Sequence, residues 1–243
     1  IFHLEEKMNI IKYGGSKVSP TPETRDDSFI DSLIDLTKKY SEQEFMIIIG
    51  GGALAGKKQA EEADADDERK DWLGIEATWE NAEYVIKRFQ DSGIEKVCPD
   101  VIKDPTQKTA GYRIYFAGGW KPGNSTDYVT MTLAVTYGAE KVIKISDFEV
   151  VKDLSPLEVK DLSKEERNQR LADAEDLPEA TWQKMVDLVG TKWVPRLNTP
   201  LDPLAAKLGL ENSFITLYIC QESQLEKVLS DDVQGLKGTI VQG

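Results

Sequence analysis

The sequence is poorest in the side chains that carry most acid–base and metal chemistry. Its 243 residues include one histidine, His3, and two cysteines, Cys98 and Cys220. A lone imidazole near the N-terminus argues against histidine-based acid–base chemistry and against a zinc site. The cysteines lie in or near apolar runs without metal-ligand spacing and read as buried free thiols. No stretch approaches the roughly 20 apolar residues of a membrane helix, and no apolar leader opens the chain, so a cytoplasmic protein without a membrane partner is expected. Residues Ile1–Lys7 read as an extension before the first strand-like run. Positive charge is scarce as well: 30 Lys and Arg stand against 43 Asp and Glu, a net charge of −13. A surface that acidic repels a phosphate backbone, so no nucleic-acid partner is expected. A small anion is still admissible, because local amides and a few lysines outweigh distant charge.

What is present is an alternation of apolar strands and helical periodicity. Met8–Tyr13, Phe45–Ile49, Tyr112–Ala117, Lys141–Ile145, Phe214–Ile219 and Thr239–Val241 read as strands. Continuous apolar runs such as Phe45–Ile49 are those of parallel strands buried on both faces. Helices are expected over Ser28–Tyr40, Asp71–Gln90, Thr126–Tyr137, Lys164–Ala174, Thr181–Val189, Asp202–Leu208 and Leu225–Leu229. The acidic stretch within Lys57–Lys70 reads as a solvated helix or loop, with a metal-binding cluster as the alternative. The absence of a repeat or linker favours one α/β domain of two lobes, about 8–140 and about 141–243.

Three strands end in glycine clusters: Gly14-Gly15, Gly50-Gly51-Gly52 and Gly118-Gly119. In open α/β sheets ligands bind beyond the carboxyl ends of the strands. Glycine there lets backbone N–H groups approach phosphate oxygens, and a following helix adds its N-terminal partial charge. No GxxxxGK[ST], GxGxxG or protein-kinase motif set occurs, so phosphate handling rests on another plan. Lys12, just before the first glycine pair, is the candidate for stabilising a transferring phosphoryl group, a reaction that needs placed positive charge above all.

Several longer motifs carry a family resemblance. Lys12-Tyr13-Gly14-Gly15-Ser16 resembles the KxGGS opening of the amino-acid kinases, and Gly50-Gly51-Gly52-Ala53-Leu54-Ala55 resembles their GGGxxAR turn. Asp71–Thr78 with Asn81-Ala82, and Gly118–Asp127, are similar to two segments of the archaeal-type UMP kinases; Leu201–Lys207 and Gly235–Ile240 are similar to their closing segments. The resemblance implies a three-layer α/β/α sandwich with a mostly parallel sheet, ATP with Mg²⁺ as donor, UMP as acceptor and a homo-oligomer, by resemblance a hexamer. It places Lys12 as the catalytic residue. Gly14, Gly15, Ser16, Gly52, Lys57, Ser146, Asp147, Lys152 and Asp153 fall on the ATP and phosphate side. Gly51 and Asp71 fall on the UMP side, Asp71 at the ribose. Trp120, Lys121, Pro122, Gly123, Asn124, Ser125 and Thr126 would wrap the acceptor, with Thr126 near the base or phosphate.

The chain also departs from that pattern. Gly56, followed by Lys57, replaces the arginine of the GGGxxAR turn, and Trp79 replaces the arginine of the second motif. In the ATP-side segment Val150, Lys152 and Ser155 stand where the pattern has glycine, tyrosine and aspartate. A bidentate guanidinium is not replaced by glycine, so two further readings stay open: a non-catalytic nucleotide-binding or oxyanion-storage member of the same fold, and a kinase for another small acceptor.

Overall fold

The computed structural model describes residues 8–192 and 199–243, so His3 and the expected N-terminal extension lie outside the described residues. The chain divides into two compact units between Glu140 and Lys141.

The first unit opens with β1 (Met8–Tyr13), a one-turn helix α1 (Gly15–Val18), α2 (Asp27–Lys39) and β2 (Glu44–Ile49). It continues through α3 (Gly52–Glu61), α4 (Asp67–Asp91), β3 (Ile114–Ala117) and α5 (Thr126–Tyr137). β2 lies between β1 and β3, and both pairings are parallel, with Tyr13 opposite Ile49 and Ile48 opposite Ala117. That register brings the carboxyl ends of all three strands, and the glycine clusters after them, to one edge. Five of the six β2 side chains are buried, as a strand covered on both faces requires. The helices start where short polar side chains occupy the free amides: Asp26 accepts from Phe29 N at 3.0 Å, Asp66 from Arg69 N at 2.8 Å, and Ser125 from Tyr128 N at 3.1 Å.

Two helical stretches were not separable by periodicity. The glycine-rich turn after β2 runs directly into α3, and the charged stretch after it supplies the end of α3, an exposed connection and the first turn of α4. Arg69 ties this region together, pairing with Glu62 at 2.7 Å and with Glu76 at 3.0 Å. The third strand is two residues shorter than expected. Tyr112 N donates to the Tyr115 hydroxyl and Arg113 N to Lys96 O, so these two amides point away from β2, although Arg113 O still accepts from Phe45 N of β2 at 2.9 Å.

The second unit contains β4 (Lys141–Ile145), α6 (Lys164–Asp173), β5 (Glu179–Thr181), α7 (Trp182–Val189), α8 (Pro203–Glu211), β6 (Thr216–Cys220), α9 (Leu225–Leu229) and β7 (Gly238–Gln242). β4 pairs with β6 in parallel, β6 with β7 antiparallel, and β7 with the short strand β5 in parallel. The fold is therefore α/β with mostly parallel strands. Trp182 anchors this unit: its indole N–H donates to Ile215 O at 2.9 Å, and its ring covers Gly209, where any Cβ would overlap it. Asp202 caps α8 through Leu204 N and Ala205 N, with Pro203 at the first helical position. α6 is different in kind. It is started by a reciprocal Ser163–Glu166 capping box, yet none of its residues is buried.

Both cysteines are buried and free. Burial pushes the Cys220 thiol from its ordinary 9.0 up to about 12. An acid raised in the folded state stays protonated there while the unfolded chain releases its proton, so stability falls as pH rises from 9 towards 12. The slope contributed by this group approaches about 1.4 kcal/mol per pH unit. Tyr218, likewise raised by burial, acts in the same direction at higher pH. Urea midpoints measured at pH 8, 9 and 10 are expected to fall across the upper interval, and Cys220→Ala is expected to flatten that fall.

Candidate functional site

The glycine turns after β1 and β2 are packed into one another. A Cβ on Gly15 would overlap the Gly52 amide and lie 2.5 Å from Gly50 C and 2.6 Å from its oxygen. Gly52 has φ +57 and opens α3, and a Cβ there would run into the Gly15 carbonyl. Gly14 is different: its φ is −62, and a Cβ would meet only the Ser16 hydroxyl at 3.8 Å. Backbone thus lies against backbone at the two turns, and α3 begins there at Gly52.

Asn81 of α4 holds this arrangement from behind. Its amide donates to Gly50 O at 2.9 Å and to Gly51 O at 3.1 Å, and its residue is fully buried. Its Oδ1 has no hydrogen-bond partner. Lys12, at the end of β1, pairs with Asp127 of α5 at 3.4 Å, both side chains being largely buried. The ammonium is therefore fixed beside the first glycine turn by a carboxylate that also sits in the first turn of a helix.

The turn after β3 is docked on α4 by consecutive residues. Thr78 Oγ1 donates to Ile75 O at 2.6 Å and accepts from Gly119 N at 2.6 Å. Trp79 Nε1 donates to Gly119 O at 2.7 Å. A Cβ on Gly118 would lie 2.5 Å from Thr78 Oγ1 and 2.7 Å from Trp79 Cδ1, so glycine is needed for this approach. Two turns earlier on α4, Asp71 Oδ2 accepts from Gly123 N at 2.9 Å. Between these tethers the loop turns at Pro122 and Gly123, with φ +78 at Gly123, Asn124 N donating to Lys121 O and the Lys121 ammonium 3.8 Å from the Trp120 ring centroid. Asn124 Oδ1 is buried without a partner, Ser125 caps α5, and Thr126 is the first residue of α5.

Trp79 thus closes the Gly118–Gly119 turn, and Lys103 Nζ lies 4.4 Å from its ring centroid. Gly56 is exposed with open space around it, and the neighbouring lysines are engaged elsewhere, Lys57 with Glu23 at 3.5 Å and Lys58 with Glu80 at 2.5 Å. Thr78→Val keeps the side-chain shape but leaves the Gly119 N–H without an acceptor. It is expected to lower the unfolding free energy by about 1–3 kcal/mol, read from urea denaturation.

In the second unit, a cavity of about 1010 Å³ is walled by the segment after β4, by α6 and by the residues before β7. Of the candidates on the ATP side, Lys152 lines it, held by Asp176 at 2.6 Å and by Ala174 O at 3.2 Å. Ser146 and Asp147 are not in its wall; the Ser146 hydroxyl donates to Phe148 O, and Asp147 O accepts from Gln221 Nε2, which shapes the turn leading to it. Asp153 is turned to Lys184, at 2.6 Å. Ser155, in the place of an aspartate, caps the short turn Pro156–Glu158 and donates to Leu188 O at 2.8 Å.

The sequence model of the amino acid kinase family matches residues 7–220. The chain belongs to the amino acid kinase family. Among its relatives, the uridylate kinase of Pyrococcus abyssi is 29% identical over 241 residues, covering 96% of this chain and 98% of that protein. That of Thermococcus sibiricus is 28% identical over 240 residues, covering 96% and 98%. The solved structure of the Archaeoglobus fulgidus uridylate kinase shares the fold with a TM-score of 0.71 at 23% identity, over 97% of this chain and 99% of that one. Within this family member, Thr78 and Asn81 are positioning residues that motif reading quoted without a role, because a side chain's hold on a remote backbone leaves no spacing signal.

Proposed function

We propose that this amino acid kinase family member transfers the γ-phosphoryl group of ATP to UMP, giving ADP and UDP in the cytoplasm. The observation that carries the reading is Lys12 fixed by Asp127 beside two interlocked glycine turns. An ammonium held in that way meets the negative charge that develops on a transferring phosphoryl group without having to reorganise. A UMP phosphate oxygen would attack the γ-phosphorus while the bond to the β-phosphate oxygen breaks and ADP departs.

On the acceptor side, Gly51, Asp71 and Trp120–Thr126 would surround UMP. The buried Oδ1 of Asn124 supports this, since an unpaired acceptor there is satisfied by a ligand N–H or O–H. On the donor side, the cavity of about 1010 Å³ fits a nucleotide, combining apolar walls with cations. Among the described residues no group of three or more His, Cys, Asp or Glu could hold a metal ion. Mg²⁺ is commonly carried on substrate phosphates with few protein ligands, and the proposed donor would bring it in that way. When bound it would neutralise charge on the donor phosphates.

Release of ADP measured with and without UMP tests the proposal. UMP-dependent release at catalytic protein concentrations is expected; folded protein that releases no ADP above background would defeat it.

A further inference from the structure

The charges around the cavity of the second unit do not balance. Among the described residues four cations line it, Lys152, Lys160, Arg167 and Lys237, against three carboxylates, Glu149, Asp161 and Asp176. Each carboxylate is assigned to a lysine: Asp176 to Lys152 at 2.6 Å, Glu149 to Lys237 at 3.2 Å, and Asp161 to Lys160 at 4.0 Å. Arg167 is left over. Among the described residues its buried Nε has no hydrogen-bond partner, and its Nη2 makes only a long contact of 3.5 Å to Leu162 O. A buried guanidinium N–H without an acceptor carries a desolvation cost that an anion in the cavity would relieve.

The helix that carries Arg167 has the same unfinished character. α6 is capped at its start, yet it buries none of its residues. Leu171, one turn after Arg167 and on the same face, also lines the cavity and is 36% exposed. Phe148, another lining residue, is 39% exposed. An apolar body with a polyanionic tail would cover the two apolar side chains and meet the guanidinium at once. A guanidinium presents its donors in a planar fork that matches phosphate oxygens, which a lysine already held by a carboxylate cannot reproduce.

We propose that Arg167 binds the polyphosphate chain of the nucleoside triphosphate in this cavity. The identity of that ligand as ATP rests on the kinase reading above; the polyphosphate contact does not. No sequence motif pointed to Arg167, which lies in a charged, weakly periodic stretch whose helix was legible but whose cavity-facing side was not.

The test is isothermal titration of the full chain with ATP, with inorganic tripolyphosphate and with adenosine, for the wild type, Arg167→Ala and Arg167→Lys. Arg167→Ala is expected to weaken ATP and tripolyphosphate by about 10- to 100-fold and to leave adenosine unchanged, and Arg167→Lys is expected to lose less. Because α6 buries none of its residues, circular dichroism and the urea midpoint should match the wild type in both variants. Steady-state kinetics should show the change in KM for ATP and not in KM for UMP. Equal ATP affinity in wild type and Arg167→Ala would overturn the assignment while leaving the donor-site reading intact. Arg167-dependent binding of tripolyphosphate by a wild type that ignores ATP would support the polyphosphate contact and defeat the kinase reading. A wild type that binds neither would overturn both.

Discussion

Lys12→Ala is expected to slow UDP formation by about 10²- to 10³-fold, the loss that follows removal of one placed group stabilising transition-state charge. The effect should fall mainly on kcat, because the ammonium would act on charge that grows during transfer, whereas the loop proposed to wrap the acceptor is held independently by Asp71, Thr78 and Trp79. Stability should fall too, since Asp127 loses its ion pair in a largely buried setting. Lys12→Arg, which keeps the charge but not the shape, separates the two effects: it should recover stability more fully than rate. Rates within threefold of wild type for Lys12→Ala would remove Lys12 from the transfer step.

Gly15→Ala should be the most damaging small substitution in the first unit. One methyl group would overlap the Gly52 amide and crowd the Gly50 carbonyl, and all of these atoms are backbone that cannot turn aside. The two turns would have to separate, at a cost of about 2–4 kcal/mol, and the proposed phosphate site between them would be lost. Gly14→Ala, one residue earlier, is the control. It adds the same methyl group in a favourable backbone conformation with only the Ser16 hydroxyl near it, and should change the urea midpoint little. If the two variants unfold at the same urea concentration, the interlocked turns do not hold this site together.

Much of this architecture could be read from the residues because strand, glycine turn and helix follow one another in order. The apolar runs at Met8–Tyr13, Phe45–Ile49 and Lys141–Ile145 became strands, and the glycine clusters lie beyond the ends of the first two and of β3. The short elements were harder to read. α1 spans four residues and β5 three, too few for either periodicity to register, and β5 exists because β7 offers it a partner about sixty residues later in the chain.

The candidate site was legible where glycine was required by close approach and illegible where a side chain acts on distant backbone. Asn81 reaches back 31 residues to Gly50, Thr78 reaches forward 41 to Gly119, and Arg167 acquires meaning only from the three ion pairs that exclude it. Trp79 shows the limit of reading a substitution by charge alone. It removes a guanidinium, yet it supplies an N–H to Gly119 O and a ring on which Lys103 rests.

The most direct test of the central claim follows the phosphoryl group itself. The chain is incubated with ATP labelled at the γ-phosphate, magnesium and a panel of acceptors in which UMP stands beside CMP, AMP, GMP and carbamate. The account predicts that label enters UDP and does so faster than any other product. Label that stays in ATP, or that passes to another acceptor while UMP is ignored, would contradict it.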